Sequence, residues 1–400
     1  MEACGVIVEY NPFHNGHAHH VQEAKRKTES DCIIAVMSGP FLQRGEPAII
    51  NPFYRAQAAL SHGVDIVVVL PFFYAVQSSD LFAYGAVHTL NHLGISSICF
   101  GSESGTIDSF YHTYTILSQH QETYEKKLKE QLAKGVSFPR AHANTFSSLS
   151  TTKPVIDFHQ PNNILGYSYV KTVMDAKLSV HMETIERKQS AYHDSEMTAP
   201  IASATSIRKH LFTGEPIEQA MPPGSEHILR SYLETFEKWH EWEAYFPYVH
   251  YRVLSMSTKE LAQIYTIEEG IEHRLKETAQ HATSFSHWMK LIKTKRYTWS
   301  RLQRMFTFIL NHVTKQDVAP FLEDRPIPYI HLLGMTERGR TYLHEKKAAI
   351  EIPIRTSFKR EQHPLATLEE RALQTYYSVL SPKLQREARK QAFAPPIIVP

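Results

Sequence analysis

The chain has 400 residues, of which 42% are hydrophobic and 21% are charged, with only 16 glycines. This composition excludes a collagen-like chain, a coiled-coil rod and a disordered tail, and the length suits two domains of roughly 150 residues each. The net charge of +2 indicates no partner by itself, and three separate cysteines, Cys4, Cys32 and Cys99, exclude a disulfide framework and a thiolate zinc site.

The first hundred residues alternate short apolar runs with amphipathic segments of helical length. The apolar runs predict buried parallel strands, because a strand covered on both faces is apolar throughout. The predicted strands are 5–8, 32–37, 65–70 and 97–100, and the predicted helices between them are 16–28, 52–62 and 79–93. This alternation predicts an α/β fold with a doubly wound parallel sheet.

The rest of the chain is predicted to be mainly helical. Residues 106–152 are polar and helix-prone, a helix is predicted over 161–176, and 180–185 is a fifth strand candidate. From Ser206 onward we find only helical periodicities, which prolines interrupt.

The charge is distributed unevenly along the chain. Residues 1–208 carry 16 Lys and Arg against 19 Asp and Glu, whereas residues 209–400 carry 27 against 22. We therefore predict two domains, an α/β domain over 1–215 and a helical, basic domain over 216–400.

No segment is predicted to enter a membrane or to direct export. The amino terminus lacks a basic leader, and Glu9 interrupts the first apolar run. The longest apolar stretch, 64–76, contains Asp65 and Pro71 and is shorter than the ~20 residues of a spanning helix. We expect a cytoplasmic protein without membrane contact.

The most informative segment follows the first predicted strand and contains His14, Gly16, His17, His19 and His20. In an open parallel sheet, ligands bind at the carboxyl ends of the strands, where a helix start offers free N–H groups to an anion. Two imidazoles three residues apart at such a start are suited to stabilising charge on a transferring phosphate. The alternatives are a metal-binding histidine cluster or polar loop residues without a function.

A second segment opens a predicted helix after the last strand candidate. Ser203, Thr205 and Ser206 can cap the helix or hold a phosphate, and Arg208 offers a planar fork of donors. By itself the segment is also explained as an ordinary capped helix.

Together the two segments resemble the H-x-G-H and S-x-T-x-I-R signatures of the nucleotidyltransferase superfamily. The longer motifs GVIVEYNPFHNGH (5–17), MSGPFLQRGEPA (37–48), FGSE (100–103) and PNNILG (161–166) resemble the bacterial tRNA(Met) cytidine acetate ligases. The resemblance runs from residue 3 to about 210 and continues more loosely through the helical remainder. Pro40 departs from the pattern, which has Asn there, and removes one backbone donor.

The resemblance implies a nucleotidyltransferase-like Rossmann fold and a reaction. Members of that family use ATP and acetate to make N4-acetylcytidine at the wobble position of elongator tRNA(Met), through an acetyl-adenylate and with release of pyrophosphate; Mg²⁺ is expected with the ATP. The implied catalytic residues are His14, His17 and Arg208. The expected ATP contacts are Ile7, Val8, Glu9, Tyr10, Asn11, Pro12, Phe13, His14, Asn15, Gly16, His17, Ala18, His19, His20, Gly101, Asn162, Arg187, Ser203, Thr205 and Ser206.

The second half contains a basic stretch without any acidic residue between Glu277 and Asp317. Phosphate neutralisation combined with aromatic stacking is typical of RNA binding, and Trp288, Tyr297 and Trp299 are interleaved with the cations. The alternative is a solvated basic face with buried tryptophan. The tRNA-binding residues predicted here are Lys290, Lys293, Lys295, Arg296, Arg301 and Arg304.

Three further residues have open interpretations. Arg44 and Arg55 are either phosphate or tRNA contacts or surface charges, and Asp80 either contacts substrate or stabilises a helix start. A basic run at 383–390 either extends the RNA surface or has no specific role.

Two other functions remain open at this point. A small-molecule adenylyltransferase acting on nicotinate- or pantetheine-type phosphates shares the signatures but leaves the basic helical half unexplained. A metal-dependent regulatory or RNA-binding site would use the histidine cluster instead. The sequence predicts no oligomeric state.

Overall fold

The computed structural model describes residues 1–149, 153–187, 202–357 and 363–400. Five strands of the first half are β1 (Ala3–Val8), β2 (Cys32–Ser38), β3 (Ile66–Leu70), β4 (Ser97–Ser102) and β5 (His181–Glu186). They pair in parallel in the order β5-β4-β1-β2-β3. Every residue of β2 and β3 is buried, as expected for strands covered on both faces. The predicted parallel sheet is therefore confirmed.

Helices cover this sheet, and the predicted ones are present. The helices of the first half are α1 (Asn15–Thr28), α2 (Pro52–Leu60), α3 (Phe72–Ala75), α4 (Ser79–His92), α5 (Ile107–Gln119), α6 (Gln121–Ala133), α7 (Phe138–Ser147), α8 (Pro161–Asp175) and α9 (Ala204–Thr213). The polar segment 106–152 forms α5, α6 and α7, and its last three positions lie outside the described residues. α4 and α8 pack side by side, which brings their starts to the same edge of the sheet.

The second half is largely helical in its described residues. After a 3₁₀ turn (Glu218–Ala220), its helices are α10 (Ser225–Phe236), α11 (Trp242–Ser255), α12 (Thr258–Gln263), α13 (Ile271–Ala279), α14 (Phe285–Ile292), α15 (Trp299–Leu310), α16 (Lys315–Glu323), α17 (Glu337–Lys346), α18 (Pro364–Tyr377) and α19 (Pro382–Phe393). No described helix is both long and apolar enough to cross a bilayer.

The expectation of helices alone after Ser206 is wrong. The second half also contributes β6 (Ile330–Thr336), β7 (Ile354–Arg355) and β8 (Ile397–Val399) to the sheet. β6 pairs antiparallel with β3 and covers what would otherwise be an open edge. A short apolar run such as β6 cannot be distinguished from a buried helix by periodicity alone, which is why the sequence pattern missed it. The sheet thus takes strands from both sides of residue 215, and the two-domain division stays a prediction.

The loop after β2 is held between the two halves. Thr307 of α15 donates to the carbonyl of Gly45 at 2.7 Å, and Tyr376 of α18 donates to that of Ala48 at 2.7 Å. Gly45 has a φ of 85°, and a Cβ there would lie 2.4 Å from the backbone nitrogen of Arg304. Only glycine permits this close approach. Because Gly45 lies in the loop that follows β2, the contact places α15 at the carboxyl edge of the sheet.

Candidate active site

The start of α1 is capped by two histidines. His14 is the N-cap residue, and its Nδ1 accepts a hydrogen bond from the Gly16 N–H at 3.0 Å. The Nδ1 of His17 accepts in turn from the His14 N–H at 3.3 Å. This reciprocal pair is a capping box, which Ser or Thr and Glu usually form. The predicted H-x-x-H spacing therefore fixes both imidazoles relative to the backbone.

Both imidazoles are neutral at physiological pH. Burial, together with the positive charges of Arg187 and Arg208, lowers the pKa of His14 to about 3. Burial and the neighbouring histidines lower the pKa of His17 well below its ordinary value. Because each Nδ1 accepts from a backbone N–H, the proton of each neutral ring lies on Nε2. The pair consequently presents two neutral imidazoles, of which that of His17 is also hydrogen-bonded to the backbone of Pro12.

A cavity of about 1890 Å³ opens at the carboxyl ends of the parallel strands. This volume exceeds the ~300–1,000 Å³ of ordinary small-molecule pockets. The predicted nucleotide residues that line it are Ile7, Val8, Glu9, Asn11, His14, Gly16, His17, His19, His20, Gly101, Asn162, Arg187, Ser203, Thr205, Ser206 and Arg208. The structure thus brings together residues that are almost two hundred positions apart in the sequence.

Five predicted ATP contacts do not line the cavity, namely Tyr10, Pro12, Phe13, Asn15 and Ala18. Tyr10 and Phe13 are 0% and 1% exposed, and their ring centroids lie 4.9 and 5.7 Å from that of His17. Asn15 donates to the carbonyl of Gln219 at 2.8 Å. The Tyr10 and Phe13 rings thus pack against the His17 imidazole. These five residues do not line the cavity, and their contact with ATP stays a prediction.

Arg208 joins the two signature segments. Ser203 caps α9 by accepting from the Ser206 N–H at 3.1 Å, which places Arg208 one turn into the helix. Its Nη1 donates to the carbonyl of Asn11 at 2.9 Å, and its Nη2 lies 3.4 Å from Glu46. The guanidinium therefore fixes the loop that carries the histidines while it lines the cavity.

A second group surrounds the end of β4 and the start of α8. Glu103 accepts from the side chain of Asn162 at 2.6 Å and from the Asn163 N–H at 2.9 Å. Arg187 Nη1 donates to the side-chain Oδ1 of Asn162 at 3.5 Å, and the Arg187 side chain passes 3.2 Å from the Cβ position of Gly101. The sequence analysis predicts no role for Glu103. The available signal is that Glu103 directly follows the strand β4, because a carboxylate at a strand end can accept from the N–H groups at a helix start such as that of α8.

Arg55 is neither a substrate contact nor a surface charge, so both interpretations of it are wrong. It is fully buried and donates to the carbonyls of Glu9, at 2.6 Å, and of Gly39. Burial lowers the pKa of its guanidinium to about 10. Arg55 ties the ends of β1 and β2 together beneath the cavity. Arg44, in contrast, is exposed and lines the cavity.

The predicted basic stretch divides into two groups. Arg296, Arg301 and Arg304 line the cavity, whereas Lys290, Lys293 and Lys295 are exposed outside it. Arg296 pairs with Glu269 at 3.0 Å, and Arg301 with Glu268 at 3.5 Å.

The aromatic residues of this stretch are mostly structural. Trp288 is fully buried and donates to the Thr278 hydroxyl at 2.9 Å, and Tyr297 is buried and donates to a backbone carbonyl. Stacking of RNA bases on these two rings is therefore excluded in this conformation. Trp299 is 41% exposed and remains available.

The histidine cluster does not form a metal site with other residues. Across residues 1–149, 153–187, 202–357 and 363–400, no group of three or more His, Cys, Asp or Glu side chains is placed to hold a metal ion. Both Nδ1 atoms of His14 and His17 already accept backbone N–H groups.

Comparisons with known proteins agree with this geometry. A family model described as HIGH Nucleotidyl Transferase matches residues 1–392. A tRNA(Met) cytidine acetate ligase of Oceanobacillus iheyensis is 46% identical over 403 residues, covering 100% of both chains. One of Bacillus subtilis is 43% identical over 399 residues, covering 98% of this chain and 96% of the relative.

Two solved structures are also similar. Thermotoga maritima TmcAL, as the apo form and bound with alpha-thio ATP, superposes in each case with a TM-score of 0.90 at 30% identity and full coverage of both chains.

Proposed function

This chain belongs to the tRNA(Met) cytidine acetate ligase family of HIGH nucleotidyl transferases, and from that membership we propose the reaction that its cavity performs. ATP and acetate form an acetyl-adenylate, and the acetyl group then passes to the N4 amine of the wobble cytidine in elongator tRNA(Met). The single observation that supports this best is the union of His14, His17 and Arg208 at one end of the cavity.

In the first step, an oxygen of acetate attacks the α-phosphorus of ATP and pyrophosphate leaves. Acetate is ionised at neutral pH, so the step needs in-line positioning and charge stabilisation more than a general base. His14 and His17 would contact phosphate oxygens as neutral imidazoles, with His17 exchanging its hydrogen bond to the Pro12 backbone for one to phosphate. The first-turn N–H groups of α1 are occupied by the His14 side chain and carbonyl, so the helix contributes the positive end of its dipole.

ATP binding is proposed from the same residues. The Thermotoga relative binds alpha-thio ATP, and the equivalent substrate here would lie between the α1 start and the group formed by Gly101, Asn162 and Arg187. Mg²⁺ would enter with the triphosphate, since it is commonly held by substrate phosphates and water rather than by a protein cage.

The tRNA would approach from the second half of the chain. Arg296, Arg301 and Arg304 line the cavity itself, so RNA phosphates held there would deliver a nucleotide directly to the acetyl-adenylate. Lys290, Lys293 and Lys295 extend this surface outward. We assign residues 216–400 to tRNA binding on this basis, and we place the reaction in the cytoplasm, where tRNA is found.

The proposal is tested by two assays on the intact protein. Acetate should stimulate exchange of labelled pyrophosphate into ATP, and a tRNA(Met) transcript should gain one acetyl group on a cytidine, detected by mass spectrometry of its nucleosides. Exchange that depends on a nicotinate nucleotide or a pantetheine phosphate instead of acetate would favour the small-molecule adenylyltransferase. Exchange with neither would leave the acetyl-adenylate route without support.

A further inference from the structure

Part of the wall of the same cavity is formed by aromatic rings. Tyr124, Phe138, His142, Phe158 and Tyr167, which we call the aromatic pocket, come from α6, α7, the following loop and α8. The centroids of His142 and Phe158 lie 4.3 Å apart, those of Tyr124 and His142 5.5 Å, and those of Phe158 and Tyr167 5.2 Å. These rings contact one another but leave a side open to the cavity.

The exposure of Phe138 distinguishes this pocket from an ordinary core cluster. Phe138 is the first residue of α7 and is 54% exposed, yet it lines the cavity 5.9 Å from the His142 ring. Burial lowers the pKa of His142 to about 4, so its ring is neutral at physiological pH. Tyr124, Phe158 and Tyr167 are themselves 9% exposed or less, so Phe138 and the half-buried His142 ring are the parts of this uncharged pocket on which a flat base can stack.

One carboxylate lies at the edge of the aromatic pocket. Asp80, in the first turn of α4, is exposed and lines the cavity. Asp80, Tyr124, His142 and Tyr167 line the same cavity, and the charge of Asp80 raises the pKa of all three rings. Ser168 Oγ lies 3.3 Å from Asp80 Oδ1 and 3.2 Å from the Ile164 carbonyl oxygen, and its single proton serves either acceptor; no described residue donates to Asp80 Oδ2. The Asp80 carboxylate therefore has hydrogen-bonding capacity available for a substrate.

We propose that the aromatic pocket receives the target cytosine, unstacked from the RNA, and that Asp80 accepts a hydrogen bond from its N4 amine; this inference rests on the proposed function. An enzyme that modifies a base must take it out of the stack, and it holds the base between aromatic or apolar side chains. A carboxylate that accepts from the amino group is the typical protein partner of cytosine N4. Uracil has a carbonyl oxygen at that position, which the carboxylate would repel.

Asp80 would also serve the second chemical step. The N4 nitrogen attacks the acetyl carbonyl carbon and forms the C–N bond. The bond between that carbon and the phosphate oxygen breaks, and AMP leaves with the electron pair. The proton lost by the amine passes to the Asp80 carboxylate. General-base catalysis by a positioned group typically contributes ~10²–10⁴-fold.

The test compares Asp80→Asn with Asp108→Asn. Asp108 occupies the same position in the first turn of α5, is exposed, and does not line the cavity, so it controls for the helix-dipole effect of removing an acid. We expect D80N to lower kcat for acetylation of a tRNA(Met) transcript by ~10²-fold or more. Acetate-dependent pyrophosphate exchange should stay at the wild-type rate, and D108N should behave as wild type in both assays.

The outcomes separate this inference from the function on which it rests. Wild-type acetylation by D80N, or an equal loss of exchange and acetylation, overturns the role of Asp80. If the wild-type protein itself shows no acetate-dependent exchange, the proposed function fails instead.

A second pair of variants identifies the occupant of the aromatic pocket. Phe138→Ala removes an exposed ring from its wall, and Tyr251→Ala removes a 71% exposed ring elsewhere. We expect F138A to lower kcat/KM for the transcript by about 5- to 150-fold, which corresponds to the ~1–3 kcal/mol of one base stacked on an aromatic ring. Its affinity for ATP, measured by calorimetry, should be unchanged. Weakened ATP binding would show that the pocket holds adenine and would overturn the proposal.

Discussion

Arg208 Nη1 donates to the carbonyl oxygen of Asn11 at 2.9 Å, across 197 positions of sequence. This bond connects the two segments that were singled out separately from the sequence. Each segment alone had a plain structural explanation, as a polar loop or a capped helix. Their junction in one cavity is the strongest structural reason to assign them a shared function.

We predict that Arg208→Ala weakens ATP binding. The variant loses the cation that lines the cavity and also frees the loop that carries His14. Arg208→Lys should restore affinity only in part, because an ammonium group cannot reproduce the planar fork of donors. Calorimetric titration with ATP measures the effect, and Arg230→Ala, on an arginine that is 65% exposed, is the matched control. If R208A binds ATP with wild-type affinity, the segment from Ser203 to Arg208 is an ordinary capped helix without a role in ATP binding.

The histidines are best tested with variants that keep the helix cap. Asn is a good N-cap residue and Gln is the usual partner at the third helical position, so His14→Asn and His17→Gln preserve the capping box. Each variant should keep the wild-type melting temperature within a few degrees but lower acetate-dependent pyrophosphate exchange by ~10²–10³-fold, the typical loss for one donor in such a site. Wild-type exchange in both variants would falsify the assignment of the imidazoles to charge stabilisation.

Much of this site could be predicted because its residues follow strand ends. The carboxyl ends of parallel strands meet at one edge, so the motif after β1 and the one opening α9 were expected there. The sequence could not show which members of the first motif turn inward. Tyr10 and Phe13 belong to the same motif as His14. Only the folded turn shows that their rings are buried while His14 lines the cavity.

Other features depended on contacts between distant segments. Arg55 looks like a surface cation at the start of a helix, and its burial follows only from carbonyls at the ends of β1 and β2. Trp288 lies among cations in the sequence but on the buried face of α14 in space. β6 is a short apolar run that periodicity does not distinguish from a buried helix, and the β3 partner that makes it a strand lies more than 250 residues earlier in the chain.

Arg55 leads to a prediction about stability. Arg55→Met should lower the free energy of unfolding by at least ~1–3 kcal/mol, because it leaves buried carbonyl acceptors without donors. Arg44→Met, at an exposed position eleven residues earlier, should change it by no more than ~0.5 kcal/mol. Urea denaturation of both variants measures the difference. An equal, small effect in the two variants would indicate that water replaces the missing donors.

The last prediction concerns the basic surface outside the cavity. If Lys290, Lys293 and Lys295 bind RNA phosphates, their combined replacement by Gln should weaken binding of a tRNA(Met) transcript. It should also flatten the dependence of log K on log salt by up to ~0.7–0.9 for each phosphate that is no longer neutralised. Acetate-dependent pyrophosphate exchange should persist, because none of the three lysines lines the cavity.

The matched control for this triple variant removes three positive charges from α19, at Lys383, Arg386 and Arg389, which are also exposed. If overall charge alone attracted the tRNA, both triple variants would weaken binding equally, since they change the net charge by the same amount. A larger effect of the 290–295 variant would place the RNA beside the arginines that line the cavity. A larger effect of the 383–389 variant would place the RNA on α19. Wild-type affinity and salt slope in the 290–295 variant would show that its three lysines are solvated and do not bind RNA.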